Sequence, residues 1–169
     1  MGGGAEAAEL VIQIVKEQIG PNIQFTNPLI WNNILQETDS RLLAHPIAGE
    51  TTAVIVAISN RIIYGASVGD SGAFLIQGQT DFELTGQQQR KPLLGSGIAM
   101  PSPYGPIPFY GTLLLATDGL IKYAPMTKIH QMVLNNPIES VAQSLIESVR
   151  YPSGHLPDDV SVIVCKPED

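Results

Sequence analysis

The spacing of apolar residues changes along the chain, and this change constrains the fold more than any single motif. Near both ends apolar residues recur at helical spacing, whereas the middle of the chain carries short continuous apolar runs of the kind found in buried strands. The predicted order is two helices, four or five strands, a flap, a strand, two helices and a last strand. Helices at both ends of a block of antiparallel hairpins predict an α+β sandwich, with helices covering the outer faces of stacked sheets. We expect one domain over residues 1–169.

The individual elements have recognisable boundaries. A proline-rich segment over residues 86–110 lacks periodicity and predicts an ordered loop or flap. The runs AFLIQ and DFELT predict strands that are buried on both faces. The other predicted elements are a helix from Ala8 to Ile19, a helix capped by Asn27 with Leu29, Ile30, Ile34, Leu35, Leu42 and Leu43 on its apolar face, two strands joined by an Asn60-Arg61 turn, a strand GTLLLAT, helices at Thr127–Asn135 and after Asn136-Pro137, and a strand VSVIVC.

Composition excludes several classes of function. Sixteen acids against nine Lys and Arg residues give a net charge of -7, which argues against a nucleic acid or an anionic membrane as the partner. No apolar stretch approaches membrane-spanning length, and the opening MGGGAEAAEL has no basic region of the signal-peptide type. The single Cys165 lies in an apolar run, so we expect a buried, reduced thiol and a cytoplasmic protein.

Four short segments place an acid or a pair of threonines where a strand meets a glycine turn. Strand ends are where rigid scaffolds present functional side chains. Each segment is weak alone, because Asp70 and Asp118 are ordinary turn residues and Asp158 with Asp159 could be a solvated turn. The segments are GETTAV at 49–54, VGDSGA at 68–73, ATDG at 116–119 and PDDVSV at 157–162.

Together and in this order, the four segments resemble the motifs of the metal-dependent protein phosphatases of type 2C (PPM), which look like G-x-T-A, V-G-D-S-x-A, A-T-D-G-L and D-N-x-S-V-x-V. The resemblance covers about residues 1–165. It implies an α/β/β/α sandwich and hydrolysis of phosphoserine or phosphothreonine on proteins, with Mn²⁺ or Mg²⁺ at one end of the sheets. Such hard cations prefer oxygen ligands, and two of them together can lower the pKa of a shared water.

The resemblance also assigns roles to individual acids. Asp118 matches the family's central metal ligand and Asp158 matches its later ligand, so these two are the expected catalytic and metal-binding residues. Asp70 matches an Asp that the family associates with a third, weaker metal. Asp159 stands where the family often has Asn, and we expect it beside the site or in solvent. The threonines of GETTAV are expected to be structural.

Two departures predict an incomplete site. The family's first metal-bridging Asp precedes the first helix in a D-G-x-G-G segment, whereas this chain has MGGGAEAA there, without the Asp. Lys122 stands where an acid is expected four residues after Asp118. We therefore expect an amino-terminally truncated domain that lacks the first strands, holds metal loosely and has impaired activity. Missing strands would expose sheet edges, so we also expect a homo-oligomer or a partner chain that covers them.

Other functions stay open at this stage. A non-catalytic phosphatase-like domain could bind a phosphoprotein or another partner. An amino-terminal nucleophile hydrolase also stacks two sheets between helices, but its mature start needs Thr, Ser or Cys, which Met1 and the following glycines do not offer. His155 could act as a general acid or be a loop residue. The flap residues Tyr104, Phe109 and Tyr110 could contact a peptide or fasten the flap.

Overall fold

The computed structural model of the chain describes residues 3–167, and the expectations that concern Met1 and Gly2 lie outside this range. The described residues form two antiparallel sheets flanked by helices, which confirms the expected α+β class. The elements are α1 (Gly4–Gln18), α2 (Pro28–Leu43), β1 (Ala53–Ser59), β2 (Ile62–Val68), β3 (Gly72–Gln77), β4 (Thr80–Glu83), β5 (Ser102–Pro108), β6 (Thr112–Ala116), α3 (Asp118–Ile121), α4 (Met126–Asn135), α5 (Ile138–Glu147) and β7 (Val162–Cys165).

The chain divides into two compact units. Unit 1 comprises Met1–Asp70 and Gln87–Pro108, and unit 2 comprises Ser71–Gly86 and Phe109–Asp169. The sequence-based expectation of one domain over residues 1–169 stays a prediction.

Unit 1 is a three-stranded antiparallel sheet in the order β1-β2-β5, on which α2 packs, with α1 beside α2. Its core includes Trp31, Leu35 and Leu42 from α2 together with Ala66 and Val68 from β2. Full burial of a large apolar side chain contributes about 1.5–3 kcal/mol. One face of α2 therefore contributes to this core together with α1 and the strands.

The buried face of α2 differs from the predicted one. Leu29 and Leu43 were expected on the apolar face, yet each is 59% exposed. The side chains that are buried form a single helical stripe, and neither leucine lies on it. The stripe contains two polar residues and consists of Trp31, Ile34, Leu35, Thr38, Asp39 and Leu42.

The strand β5 was not predicted. It lies inside the proline-rich segment, which was expected to be a flap throughout, and it pairs with β2. Proline cannot donate a hydrogen bond and is tolerated mainly in edge strands, and β5 is an edge strand of its sheet. The flap prediction is therefore wrong for Ser102–Pro108.

Unit 2 is a four-stranded antiparallel sheet in the order β4-β3-β6-β7, with α5 packed on β7 and α4 packed on α5. Its core includes Phe74, Leu114, Leu120, Ile129 and Leu145. The expected two-sided burial holds for β3 as far as its last residue, but all four residues of β4 are exposed. The residues of β4 are exposed because β4 lies at the edge of the sheet.

The other edge strand of unit 2 is β7, and this position affects the single cysteine. Cys165 was expected to be buried, and it is half-buried instead. Ile163, on the same strand, is 57% exposed. An apolar run therefore did not guarantee burial, because β7 has a neighbouring strand on one side only in the described part of the chain.

Candidate active site

In unit 1 the first two motifs meet at Gly69. A β-carbon on this residue would lie 2.5 Å from Cγ2 of Thr52, and Gly69 has a left-handed φ of 101° that favours glycine. The expected structural role of Thr52 stays a prediction. Asp70 follows Gly69 directly, and its side chain is partly buried. It is the residue at which the first segment of unit 1 ends.

The first motif also contacts the start of the described chain. The N–H of Gly49 donates to the carbonyl of Gly3 at 2.9 Å. Thr51 and Leu94 exchange two backbone hydrogen bonds of 3.0 Å each. The GETTAV segment is therefore held from two sides by backbone contacts within unit 1.

In unit 2 the remaining motifs meet at one end of the sheet. Gly72 pairs with Ala116, and Ala116 pairs in turn with Val162. Because neighbouring strands are antiparallel, the start of β3, the end of β6 and the start of β7 lie at the same end of the sheet. Asp118 follows β6 by two residues, and Asp158 precedes β7 by four. The register thus brings the two segments that carry the expected metal ligands to one sheet end.

The backbone around Asp118 is fastened to the last motif. The Thr117 hydroxyl donates to the carbonyl of Asp159 at 3.1 Å and accepts from the N–H of Ser161 at 3.0 Å. A β-carbon on Gly119 would lie 2.4 Å from the carbonyl oxygen of Asp159, closer than any side chain can approach. Glycine is therefore required for the close approach of the ATDG turn to the PDDVSV segment.

The two carboxylates differ in their surroundings. Asp118 is the first residue of α3, its side chain is 25% exposed, and its Oδ2 accepts a hydrogen bond from Nζ of Lys122. Asp158 is exposed, and its Oδ1 accepts from the N–H of Asp159 at 2.9 Å. Both groups are open to solvent, and a carboxylate has further lone pairs beyond one such bond.

The donor set fits a divalent ion in type but not in number. Carboxylate oxygens are suitable ligands for Mn²⁺ and Mg²⁺. Within residues 3–167, however, the structure gathers no group of three His, Cys, Asp or Glu side chains that could hold a metal ion. The described residues therefore do not form a two-metal centre, and Lys122 already occupies part of the Asp118 carboxylate.

Two of the three flap aromatics, Tyr104 and Phe109, are buried. Tyr104 is buried, its hydroxyl donates to the carbonyl of Ile55 at 2.6 Å, and burial raises the pKa of this phenol. Phe109 is buried in unit 2, whereas Tyr110 is 46% exposed. His155 is exposed, and the hydrogen bond at this residue is a backbone bond from Tyr151 to its carbonyl. A general-acid role for His155 stays a prediction.

Sequence reasoning missed a buried carboxylate that accepts three backbone hydrogen bonds. Asp39 in α2 is 4% exposed. Its Oδ1 accepts from the N–H groups of Gly95 at 2.7 Å and Gly97 at 3.1 Å, and its Oδ2 accepts from Ala99 at 3.0 Å. These bonds anchor the flap to α2. The sequence signal for Asp39 is its spacing, because it is an acid at a position where the helical period of α2 predicts a buried side chain.

Comparison with known proteins gives a sequence match that includes the first two motifs. The family model described as protein phosphatase 2C matches residues 9–92. A comparison with curated protein sequences gives no match. No helix among residues 3–167 is long and apolar enough to cross a membrane.

Solved phosphatase structures share the fold. A bacterial serine phosphatase is 21% identical with a TM-score of 0.80, over 97% of this chain and 81% of that chain. The serine/threonine phosphatase Stp1 from Staphylococcus aureus is 20% identical with a TM-score of 0.81, over 100% and 81%. The catalytic domain of the serine threonine protein phosphatase PstP, solved with two manganese ions, is 20% identical with a TM-score of 0.79, over 97% and 83%.

These comparisons confirm the resemblance to the type 2C phosphatases. The likeness is one of sequence over residues 9–92 and one of fold over nearly the whole chain. The chain therefore has a protein phosphatase 2C fold.

Proposed function

We propose that this chain is a metal-dependent protein serine/threonine phosphatase domain that hydrolyses phosphoserine or phosphothreonine on proteins, with activity that is impaired in the chain as it stands. The observation that carries the proposal is the strand register of unit 2, in which Gly72 pairs with Ala116 and Ala116 pairs with Val162. This register puts the segments of Asp118 and Asp158 at one end of the sheet. The matching family model and the shared fold support the same activity.

The metal role of the acids is part of this proposal. Asp118 and Asp158 would bind Mn²⁺ or Mg²⁺, and Asp70 would contribute to a weaker ion. When bound, such an ion supplies charge neutralisation for phosphate and acidifies a water. Impairment is expected because the described residues offer too few ligands for a pair of ions.

The chain's own residues hold this end of unit 2 in place. The two hydrogen bonds of the Thr117 hydroxyl and the close approach at Gly119 keep the turn before α3 against the segment before β7. Such preorganisation keeps acids near a productive geometry without reorganisation during reaction. Solvent exposure of Asp158 leaves this end accessible to a phosphorylated side chain of a protein substrate.

The test is hydrolysis of a phosphothreonine peptide with and without Mn²⁺. We expect slow hydrolysis that requires Mn²⁺, stops with EDTA and falls at least about tenfold in Asp118→Asn. Asp159→Asn is the matched control, because it removes the neighbouring charge while keeping the Asp159 carbonyl that Thr117 contacts. Activity that survives Asp118→Asn would exclude the metal role. Absence of hydrolysis at any Mn²⁺ concentration would exclude the phosphatase.

A second candidate is a non-catalytic module that binds phosphoproteins or other partners. It is favoured by the bond between Lys122 and Asp118, which places an ammonium where an additional acid was expected. The test is binding of the same peptide, phosphorylated and unphosphorylated, in EDTA. Phosphate-dependent binding without metal, together with no hydrolysis, would establish this candidate in place of the enzyme.

Self-association through an edge strand is also proposed. Edge strands that are not covered invite pairing with another chain, and β7 is an edge strand with Ile163 largely exposed. We expect size-exclusion chromatography with light scattering to show an oligomer or a complex, and Ile163→Lys to weaken it. A stable, monodisperse monomer would contradict this. A cytoplasmic location stays a prediction.

A further inference from the structure

We infer that the edge strand β7 pairs antiparallel with β7 of a second copy of this chain, in a twofold-symmetric register that places Ile163 opposite Ile163 of that copy. The inference rests on the self-association proposed above. It goes further, because it names the partner, the direction of the two strands and their register.

The backbone of β7 presents regularly spaced hydrogen-bonding groups on its free side. The carbonyl of Ser161 accepts from the N–H of Thr117 at 3.1 Å, so Ser161 directs its backbone groups toward the side of β6. Because this direction alternates along an antiparallel strand, Val162 and Val164 direct their N–H and C=O groups away from β6. Within residues 3–167 no strand lies on that side of β7, so these groups can pair with a further strand.

The residues of β7 do not protect this edge. Charged side chains on an edge strand discourage pairing with another chain. The other edge strand of unit 2, β4, carries Asp81 and Glu83 among its four residues, whereas β7 has the uncharged sequence VIVC. Ile163 of β7 is also 57% exposed. Of the two edges of unit 2, β7 is therefore the one that can accept another strand.

The residues beyond the two ends of β7 favour a second copy in the antiparallel direction. Asp158 and Asp159 precede the strand, Lys166 follows it, and all three are exposed. Antiparallel pairing places the lysine of each copy near the acids of the other, whereas parallel pairing places acids beside acids and lysine beside lysine. The strand and its flanks are thus complementary in charge to a second copy of themselves.

The outward-directed backbone groups select the register. A hydrogen-bonded pair joins two residues that both direct their groups toward the partner strand. Pairing Val162 with Val164 of the second copy is the register that satisfies both valines of each copy without residues from outside β7. Ile163 then lies opposite its own counterpart at a non-hydrogen-bonded position, where Cα atoms are about 4.5 Å apart. The two exposed isoleucines would therefore cover each other.

The experiment is disulfide trapping of the full chain with oxidised glutathione, in a Cys165→Ser background. We expect Ile163→Cys to form a disulfide-linked dimer at least about tenfold faster than Tyr151→Cys, because paired thiols react at a high effective concentration. A Cα separation of this size is one that a disulfide can span. Tyr151 is the matched control, since it lies in the same unit and is 50% exposed.

A second set of variants tests the register. In the inferred pairing, Ser161 lies opposite Cys165 of the second copy. Ser161→Cys with Cys165 retained should therefore cross-link two copies, and mass spectrometry should find the disulfide between positions 161 and 165. Ser161→Cys in the Cys165→Ser background should react no faster than Tyr151→Cys. Circular dichroism verifies that each variant is folded, and this set tests the pairing even if Ile163→Cys is unfolded.

Light scattering under reducing conditions separates this inference from the self-association on which it rests. A dimer together with both trapping results is the expected outcome. A dimer whose Ile163→Cys variant reacts no faster than Tyr151→Cys would overturn the pairing and leave self-association standing. Faster trapping through Ile58→Cys on β1, an uncharged edge strand of unit 1, would also overturn it. A monomer at all concentrations would overturn both, and the phosphatase would still be decided by its own assay.

Discussion

Asp39 in unit 1 and Asp118 in unit 2 show what two environments do with the same chemical group. Asp39 is 4% exposed, and both of its oxygens accept from fixed backbone N–H groups. The Asp118 side chain is 25% exposed, and its partner is the flexible ammonium of Lys122. The acceptor capacity of the first carboxylate is used by fixed backbone groups, whereas the second carboxylate accepts from one lysine side chain on the same helical turn. Burial and the rigidity of the partner distinguish the two, and residue type does not.

The largest effect is expected from Asp39→Ala. This variant removes the acceptor of three N–H groups in a partly buried place, and we expect the free energy of unfolding to fall by about 3–5 kcal/mol, measured by urea denaturation. The control is Glu37→Ala, an exposed acid of the same helix, which should change stability little. A loss below about 1 kcal/mol for Asp39→Ala would mean that water replaces the carboxylate and that the comparison is wrong.

The next effect tests the fastening around Asp118. In Gly119→Ala the added methyl meets the carbonyl oxygen of Asp159 at 2.4 Å, so the two segments must separate. We expect the free energy of unfolding to fall by about 2 kcal/mol and Mn²⁺ binding to weaken.

The matched control for this glycine is Gly20→Ala. A β-carbon on Gly20 meets nothing within 4 Å, so this variant should leave both stability and Mn²⁺ binding nearly unchanged. If Gly119→Ala behaved like Gly20→Ala, the close approach would not be needed to hold the candidate site.

How far the sequence predicts these two carboxylates depends on the range of their contacts. Asp118 was found because its motif is local, with a strand, an acid and a glycine in adjacent positions. Asp39 was missed because its partners lie 56 to 60 residues away in the chain, and a helical residue carries no mark of such a contact. For the same reason periodicity predicted α1 and α2, but it did not predict β5, whose pairing with β2 overrides its prolines.

A smaller effect is expected at Tyr104, which holds β5 to β1 in unit 1. Tyr104→Phe loses the hydrogen bond to the carbonyl of Ile55, and we expect a fall of about 1 kcal/mol in the free energy of unfolding at neutral pH. Because burial raises the pKa of this phenol, the folded state keeps it neutral while the unfolded chain ionises it above about pH 10. Stability should therefore fall above about pH 10 in the unmodified chain and less steeply in Tyr104→Phe.

The pH dependence of this tyrosine needs its own control. Tyr151 is 50% exposed, so Tyr151→Phe should leave the alkaline loss of stability as it is in the unmodified chain. Urea denaturation from pH 8 to 11 makes the comparison. Equal alkaline slopes for Tyr104→Phe and Tyr151→Phe would contradict a neutral, buried phenol at position 104.

The smallest change in stability is expected from Asp118→Asn. Its loss of stability is to be compared with the much larger loss expected for Asp39→Ala. The variant removes an exposed ion pair within one helical turn, so the free energy of unfolding should change by no more than about 0.5 kcal/mol. A loss of several kcal/mol would show that Asp118, like Asp39, is held for the fold, and it would contradict the comparison of the two carboxylates.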